Sequence, residues 1–242
     1  MQITTVLKKL KTALGSPVQY YLDGNTETII LNELIGKKIE VIFTGKIVCI
    51  ACGKTISKTY GQGYCYPCFS SLPENEECVL RPELCRAHLG IARDMEYARQ
   101  NCLSPQVVYL SVTSGLKVGV TRLSQVPARW IDQGATLAIQ LALTQNRFQA
   151  GLIEVALKQY VADKTNWRAM LNGISPSVDL ILEKEKLTKL IPNESACFIT
   201  NENTVTQLEY PVLWYPEKPE SITFDKRSEE RRVGKECRYR WS

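Results

Sequence analysis

Four cysteines in two short pairs are the residues whose spacing most directly indicates chemistry. Cys49 and Cys52 form one C-x2-C pair, Cys65 and Cys68 form a second, and twelve residues separate the two pairs. Thiolates at this spacing are typical ligands of tetrahedral zinc, because a tight turn directs both sulfur atoms of a pair at one ion. Four thiolates fill the coordination sphere, so the spacing predicts a structural zinc ion with no open position for a substrate.

A second, looser group consists of Cys78, Cys85, His88 and Cys102. Three cysteines and a histidine are a known zinc ligand set, and the short spacing from Cys85 to His88 suits one ion. The outer members lie far apart in the sequence, so a second zinc site depends on the fold bringing them together. The sequence leaves an alternative open, in which the thiols are small buried groups and His88 packs near Asp94.

Composition places the chain among folded globular proteins. It has 242 residues, 44% of them hydrophobic and 23% charged, with a formal net charge of +5. These values exclude fibrous and intrinsically disordered classes. No apolar run approaches the roughly 20 residues of a membrane-spanning helix, and the first residues do not resemble a signal peptide. We therefore expect a cytoplasmic protein that makes no membrane contact.

The positive charge is concentrated at the end of the chain. Residues 227–242 hold six basic and three acidic side chains, and the string from Arg227 to Arg238 resembles a translated sequencing-library adapter. We interpret residues 227–242 as a tail foreign to the natural protein, whose own C-terminal strands are then truncated near Lys226. Without the tail, 24 basic and 22 acidic residues remain, a net charge of +2 that is low for a strong non-specific nucleic-acid binder.

Several apolar runs predict the elements that position these groups. Strand-like composition between turn residues predicts an N-terminal β module and a later hairpin across a Ser114-Gly115 turn; the runs are Pro17–Leu22, Thr28–Leu31, Ile39–Phe43, Val107–Thr113 and Leu116–Thr121. Apolar residues at i, i+3 and i+4 spacing predict a helix over Ala150–Ala162. Cys197 lies in a strand-like stretch and is predicted to be buried.

The predicted hairpin and the region after it resemble the core of the GIY-YIG nuclease superfamily. The resemblance rests on Tyr109-Leu-Ser, on the strand Lys117-Val-Gly-Val-Thr, and on Arg129 and Glu154 in the helices that follow. It implies phosphodiester hydrolysis, in which Tyr109 or Lys117 positions or deprotonates water, Arg129 stabilises charge on phosphate and Glu154 holds one Mg²⁺. Lys117 stands where the superfamily has a second tyrosine, and no histidine follows residue 103 that could serve as the base.

Longer strings resemble an uncharacterised bacterial family, domain of unknown function 2797, over residues 15–225. The strings are Cys65-Tyr-Pro-Cys-Phe, Pro82-Glu-Leu-Cys, Lys117-Val-Gly-Val-Thr-Arg, Ala128-Arg-Trp-Ile-Asp-Gln-Gly-Ala and Asp163-Lys-Thr-Asn-Trp-Arg. This resemblance implies an architecture and no particular activity, with further strands after residue 226. Histidines that it implies near Asn101 and Gln106 are absent from this sequence, which weakens the prediction of a second metal site.

We therefore expect an α+β protein. Its predicted parts are a β module at 1–48, a zinc-binding region with a zinc ribbon at 49–102, a GIY-YIG-like α/β domain at 103–190, a C-terminal strand segment at 191–226 and the foreign tail at 227–242.

Two functions follow from this organisation. One is a Mg²⁺-dependent nuclease that cleaves DNA or RNA, and the other is a non-catalytic zinc-containing nucleic-acid-binding protein that keeps the nuclease fold as a platform. Arg122, Trp130, Trp167 and Arg168 are expected to contact nucleic acid, because indole and guanidinium groups stack on bases. Convergence of the four catalytic candidates on one open face would favour the nuclease, whereas pairing of Glu154 with its i+4 neighbour Lys158 would oppose it.

Overall fold

The computed structural model describes residues 3–24, 27–61, 63–162 and 164–219, together with the backbone of residues 232–236. Over these ranges the protein is a mixed α+β structure with several β-sheets. None of the described helices has both the length and the apolar character that crossing a lipid bilayer requires.

The N-terminal region is a small β module, as predicted. Its strands β1 (Lys11–Ala13), β2 (Gln19–Asp23) and β3 (Thr28–Ile30) form an antiparallel sheet in that order. The Asn32 side chain ties the module together, since it accepts a hydrogen bond from the Tyr20 N–H and donates one to the Val18 carbonyl, each at 2.8 Å.

A fourth strand of this region pairs with the far end of the chain. β4 (Lys38–Ile42) runs antiparallel to β11 (Arg232–Glu236), with Val41 opposite Val233. β11 belongs to the segment that we interpret as foreign, and that interpretation stays a prediction. Residues 220–231 and 237–242, which hold the rest of the tail, lie outside the described part of the chain.

The segment that carries the thiol groups consists of very short elements. β5 (Ile47–Val48) and β6 (Thr55–Ile56) form a hairpin, and they are followed by α1 (Tyr66–Ser71) and, after four 3-10 turns, by α2 (Met95–Asn101). The Asp94 carboxylate caps α2 by accepting hydrogen bonds from the N–H groups of Glu96 and Tyr97 at 2.8 and 3.0 Å.

A four-stranded antiparallel sheet forms the centre of the protein, in the order β10-β9-β7-β8. Its strands are β7 (Gln106–Val112), β8 (Leu116–Arg122), β9 (Leu137–Thr144) and β10 (Val205–Gln207). The helices of this part are α3 (Ala128–Asp132), α4 (Arg147–Lys158), α5 (Trp167–Leu171) and α6 (Leu180–Thr188). β7 and β8 confirm the predicted hairpin, and α4 confirms the predicted helix with an earlier start and an earlier end.

The central strand β7 separates two hydrophobic cores, and all seven of its residues are buried. Val108 and Leu110 point to one face of the sheet, where they pack in one cluster with residues of α4 and α6. Val107 and Tyr109 point to the other face and pack in one cluster with Trp130 of α3 and with the N-terminal module. Successive side chains of a strand alternate between faces, so a strand buried on both faces is mostly apolar, and Gln106 and Ser111 are the buried polar exceptions in β7.

Several elements depart from the sequence prediction. β1, β9 and α6 were not predicted; β9 is buried at most positions on both faces, which removes the alternation that marks an exposed strand. Cys197 is exposed in a 3-10 helix, Asn193–Phe198, so the prediction that it is buried was wrong. The predicted 191–226 segment contributes β10 to the central sheet, and the N-terminal module shares its core with that sheet.

The approach of α4 to the thiol-bearing segment generates a prediction. A Cβ atom at Gly151 would lie 2.2 Å from the Glu83 backbone nitrogen and 2.4 Å from the Pro82 carbonyl carbon. We expect Gly151→Ala to lower the free energy of unfolding by about 1–3 kcal/mol or more, because overpacking against backbone outweighs the helix propensity gained. Gly115→Ala is the matched control, since a Cβ there meets no atom within 4 Å. Denaturant unfolding measures both, and equal stability of the two variants would contradict this packing.

Candidate functional site

The first thiol group is built by a hairpin turn and the start of a helix. Cys49 follows β5, and the turn closes where the Gly53 N–H donates to the Cys49 carbonyl at 2.9 Å with Gly53 at φ +70°. A positive φ of this size is readily adopted only by glycine. Cys65 directly precedes α1 and Cys68 lies in its first turn. The second pair therefore lies at a helix N-terminus, and the zinc ribbon stays a prediction.

The sulfur atoms of the first group have the separations of a tetrahedral metal site. All four lie within 4.8 Å of one another, and Cys52 Sγ is 3.8 Å from Cys65 Sγ. A tetrahedral zinc ion with Zn–S bonds of about 2.3 Å holds its sulfurs about 3.8 Å apart. The described cysteines are all free, so no disulfide competes for these thiols. The group can hold a metal ion.

The region around this group has almost no core of its own. Among residues 47–61 and 63–72, Cys49 and Cys65 are the only buried residues. Three aromatic rings of this segment contact one another, with the exposed Tyr66 edge-on to the half-buried Tyr60 at 5.3 Å and Phe69 6.2 Å from Tyr60. A segment this poor in buried apolar area depends on another source of folding energy, and metal binding supplies one.

Electrostatics in the first group favour a bound cation. The backbone N–H of Cys52 lowers the pKa of Cys49 to about 6 by donating to its thiolate. A hydrogen bond to the neighbouring Cys65 sulfur raises the pKa of Cys68 to about 12, because it holds the proton on the Cys68 thiol. A divalent ion replaces the thiol protons and permits all four thiolates to form.

The fold also brings the three cysteines of the second thiol group together. Cys78, Cys85 and Cys102 are buried, and their sulfur atoms lie within 4.8 Å of one another. Cys102 ends α2, whereas the other two lie in and after 3-10 turns. Arg147 of α4 points its guanidinium at this group, with Nη1 3.7 Å from Cys78 Sγ. Three of the four predicted ligands therefore meet, and they can hold a metal ion.

His88 does not join the three thiols. It is exposed, and its ring stacks on that of Phe148 with the centroids 4.4 Å apart. The family resemblance implies histidines near Asn101 and Gln106, and in this chain these two residues are joined by a hydrogen bond. The Gln106 amide donates to the carbonyls of Asn101 and Ser104 at 3.1 and 2.9 Å.

The second thiol group carries a strongly polarised thiol. Hydrogen bonds from Cys102 and Cys78 lower the pKa of Cys85 to about 3, and the Arg147 charge acts in the same direction. The pKa of Cys102 is raised, because its thiol is the donor in these bonds. One thiolate therefore forms readily in a buried place, and Arg147 is the described cation beside it.

The predicted catalytic tyrosine lies in the protein interior. Tyr109 is 0% exposed, and its hydroxyl donates to Gln133 Oε1 at 2.5 Å. The ring lies across Gly119, where a Cβ would be 2.6 Å from the hydroxyl oxygen, and the ring of Trp130 meets it edge-on at 6.0 Å. Burial raises the pKa of Tyr109 to about 12, although the Arg129 charge opposes the shift. The phenol is therefore neutral and enclosed.

The other catalytic candidates partly surround this tyrosine. Arg129 and Glu154 both influence the pKa of Tyr109, so the fold brings three of the four predicted residues into electrostatic range. Glu154 is 7% exposed, however, and Lys158 Nζ lies 3.3 Å from its Oε2. Lys117 is 3% exposed on β8, on the same face of the sheet as Gly119. The three buried candidates do not form an open face.

The predicted nucleic-acid contacts divide into two sets. Trp130 is 6% exposed and packs on Tyr109, and the Arg122 guanidinium is half-buried and donates to the Asn101 side chain. Both therefore serve packing in this structure. Arg168 is exposed and lies over the half-buried Trp167 ring, with its guanidinium carbon 4.3 Å from the ring centroid.

Sequence reasoning missed the contact role of two residues. Neither the hydrogen bond from Tyr109 to Gln133 nor the contact of Arg147 with Cys78 was predicted. Arg147 follows the N-cap Asn146, which is a recognisable helix start. No sequence signal connects it to Cys78, which lies 69 positions earlier in the chain.

Comparison with protein families gives a match that covers most of the chain. Residues 36–233 match a family described as "Protein of unknown function (DUF2797)". Neither the curated proteins nor the solved structures contain a match to this chain.

Replacing one ligand tests the first thiol group. We expect Cys65→Ser to reduce the bound zinc by about one ion per chain and to increase amide exchange across residues 47–71, because that region has little apolar core. Elemental analysis and hydrogen–deuterium exchange measure the two effects. The control is Cys197→Ser, since Cys197 is exposed and lies outside both groups. Retention of zinc and of amide protection by the Cys65 variant would contradict a metal site here.

The buried phenol generates a pH prediction. Because the pKa of Tyr109 is raised to about 12, its stabilising contribution is fully present below the unfolded pKa near 10 and is lost as pH rises through about 12. We expect the free energy of unfolding to fall by on the order of 2 kcal/mol across this interval. Tyr109→Phe keeps the ring and removes the titration, so its stability should fall less. Identical pH profiles for the two proteins would contradict a buried neutral phenol.

Proposed function

The chain belongs to the DUF2797 family, and from that premise we propose that it is a zinc-containing nucleic-acid-binding protein without nuclease activity. Both thiol groups hold zinc in this proposal, and the first ion is structural. The thiols must remain reduced to bind it, which fits a cytoplasmic location. The hairpin β7–β8 and the helices α3 and α4 serve as a platform with the strand and helix order of the GIY-YIG superfamily.

The enclosure of the predicted catalytic groups is the observation that carries this proposal. Tyr109, Lys117 and Glu154 are 0%, 3% and 7% exposed, which leaves a phosphodiester little access to them. A phenol whose pKa is about 12 is a poor base near neutral pH. Lys158 lies beside Glu154, where a catalytic Mg²⁺ ion would need to bind. These features support the absence of cleavage.

The segment around the first thiol group, residues 47–61 and 63–72, is called the zinc module, and it offers one surface that suits nucleic acid. Lys58 Nζ lies 5.3 Å from the centroid of the Tyr60 ring, and Tyr60 in turn packs edge-on to Tyr66 at 5.3 Å. Tyr66 is 61% exposed. The sequence from Val41 to Pro73 contains three lysines and no aspartate or glutamate. Aromatic rings that stack on bases, beside lysines that neutralise phosphates, are the usual components of single-strand binding surfaces.

A second surface is the stacked pair at the start of α5. Arg168 is exposed, and its guanidinium carbon lies 4.3 Å from the centroid of the Trp167 ring. None of the described ion pairs includes Arg168. An arginine held on an indole presents a planar cation to a base or a phosphate. This pair supports the same class of ligand as the zinc module does, which is single-stranded DNA or RNA.

Fluorescence anisotropy with labelled single-stranded DNA and RNA tests the proposal on the zinc-loaded full chain. We expect salt-dependent binding that Trp167→Ala weakens by roughly 1–3 kcal/mol, because one stacking contact is lost. Lys58→Ala should reduce the dependence of log affinity on log salt by about one phosphate contact. The exposed Lys189 lies at the end of α6, and Lys189→Ala is the matched control with no expected effect.

Cleavage of the same oligonucleotides distinguishes the two functions. We expect no strand scission with Mg²⁺ present, and Glu154→Gln should leave binding unchanged. Scission that requires Mg²⁺ and disappears in the Glu154 variant would overturn the proposal in favour of a nuclease. Absence of binding to any single strand at low salt would overturn it as well.

A further inference from the structure

The two thiol groups differ in the number of protein ligands that they offer. The first group has four thiols, whereas the second has the three of Cys78, Cys85 and Cys102. Within the described part of the chain, no fourth histidine, cysteine or carboxylate donor joins these three. His88 is directed to Phe148 by ring stacking. A tetrahedral ion in the second group thus lacks one protein ligand.

The surroundings of the second group hold a balancing positive charge. Three thiolates and one divalent ion carry a net charge of −1, and burying an uncompensated charge is unfavourable. Arg147 meets this requirement, with Nη1 3.7 Å from Cys78 Sγ and Nη2 3.3 Å from the Asn101 carbonyl. The backbone N–H of Arg147 donates to the Cys102 carbonyl at 2.8 Å. The N-terminus of α4, which is the positive end of the helix dipole, therefore lies against the group.

Apolar side chains enclose the group on other sides. Cys78, Cys85 and Cys102 belong to a cluster with Ala87 and Ala98, and Met95, Leu103 and Phe148 pack against that cluster. Arg147 is the charged side chain for which a contact with one of these thiols is described, and its positive charge makes the group neutral when the fourth ligand is a water.

We propose that the ion at Cys78, Cys85 and Cys102 completes its coordination with one small external ligand, a water or hydroxide that a small anion can replace. This inference rests on the proposed function in one respect, namely that the second thiol group holds zinc. Three protein ligands with an exchangeable fourth are the arrangement that leaves zinc open to external chemistry, whereas the four-thiolate site is closed. Arg147 is a positioning residue that balances the charge of the thiolates.

X-ray absorption at the zinc edge tests the ligand count directly. For the full chain loaded with two zinc ions, we expect about 3.5 sulfur ligands per zinc, the mean of four and three, with the remainder oxygen. A value of about 4 would overturn the inference while leaving the second zinc in place. A metal content of one ion per chain would overturn the second zinc itself, so the two failures are distinguishable.

Exchange of the fourth ligand gives an independent readout. In the Co²⁺-substituted protein, we expect azide to shift the visible bands of the second site in a saturable way and to leave the bands of the four-thiolate site unchanged. Cys85→Ser should abolish the shift. Bands that do not respond to azide, in a protein that holds two Co²⁺ ions, would overturn an exchangeable ligand.

Variants at Cys237 and His88 test two further protein donors. Cys237 lies outside the described residues, and His88 is the only histidine in the chain. We expect Cys237→Ser and His88→Ala to leave the metal content, the sulfur count and the azide response unchanged, and a change in either variant would overturn the inference. Arg147→Gln should lower zinc affinity at this site roughly 10–100-fold, with Arg147→Lys closer to the wild type. Equal zinc affinities in the Gln and Lys variants would contradict a charge-balancing role for Arg147.

Discussion

The position of β7 between two cores is the constraint on which the rest of the structure depends. Every side chain of this strand is buried, so one face packs with α4 and α6 and the other with α3 and the N-terminal module. Tyr109 lies on the second face and is therefore enclosed together with its partner Gln133. The same packing that stabilises the sheet withdraws the predicted catalytic groups from solvent, and this links the fold to the absence of cleavage in our account.

The thiol groups meet a different physical need. The described residues around Cys49 and Cys65 bury little else, so the hairpin and α1 lack the apolar area that folding normally requires. The second group lies against the N-terminus of α4, and Gly151 lets that helix touch the backbone at Glu83. Metal bound at the first group would stabilise a segment without a core, and metal at the second would connect the thiol-bearing segment to the central sheet.

Local patterns in the sequence predicted much of this arrangement. The C-x2-C spacing located the first group, and the hairpin Val107–Thr121 was read from its turn and its β-branched residues. β9 was missed because a strand buried on both faces loses its alternation. The place of His88 could not be predicted either, since its stacking on Phe148 depends on how α4 approaches a segment sixty residues earlier. Contacts across such separations are set by tertiary packing, which a single sequence does not encode in any local period.

The location of the surface that binds nucleic acid distinguishes a non-catalytic binding protein from a nuclease most directly. Hydrogen–deuterium exchange of the zinc-loaded protein, with and without a saturating single-stranded oligonucleotide, maps that surface. The account predicts added protection around Lys58–Tyr66 and Trp167–Arg168, with β7, β8 and the Glu154 turn of α4 unchanged. Protection centred on Tyr109, Arg129 and Glu154, with the zinc module unaffected, would contradict it.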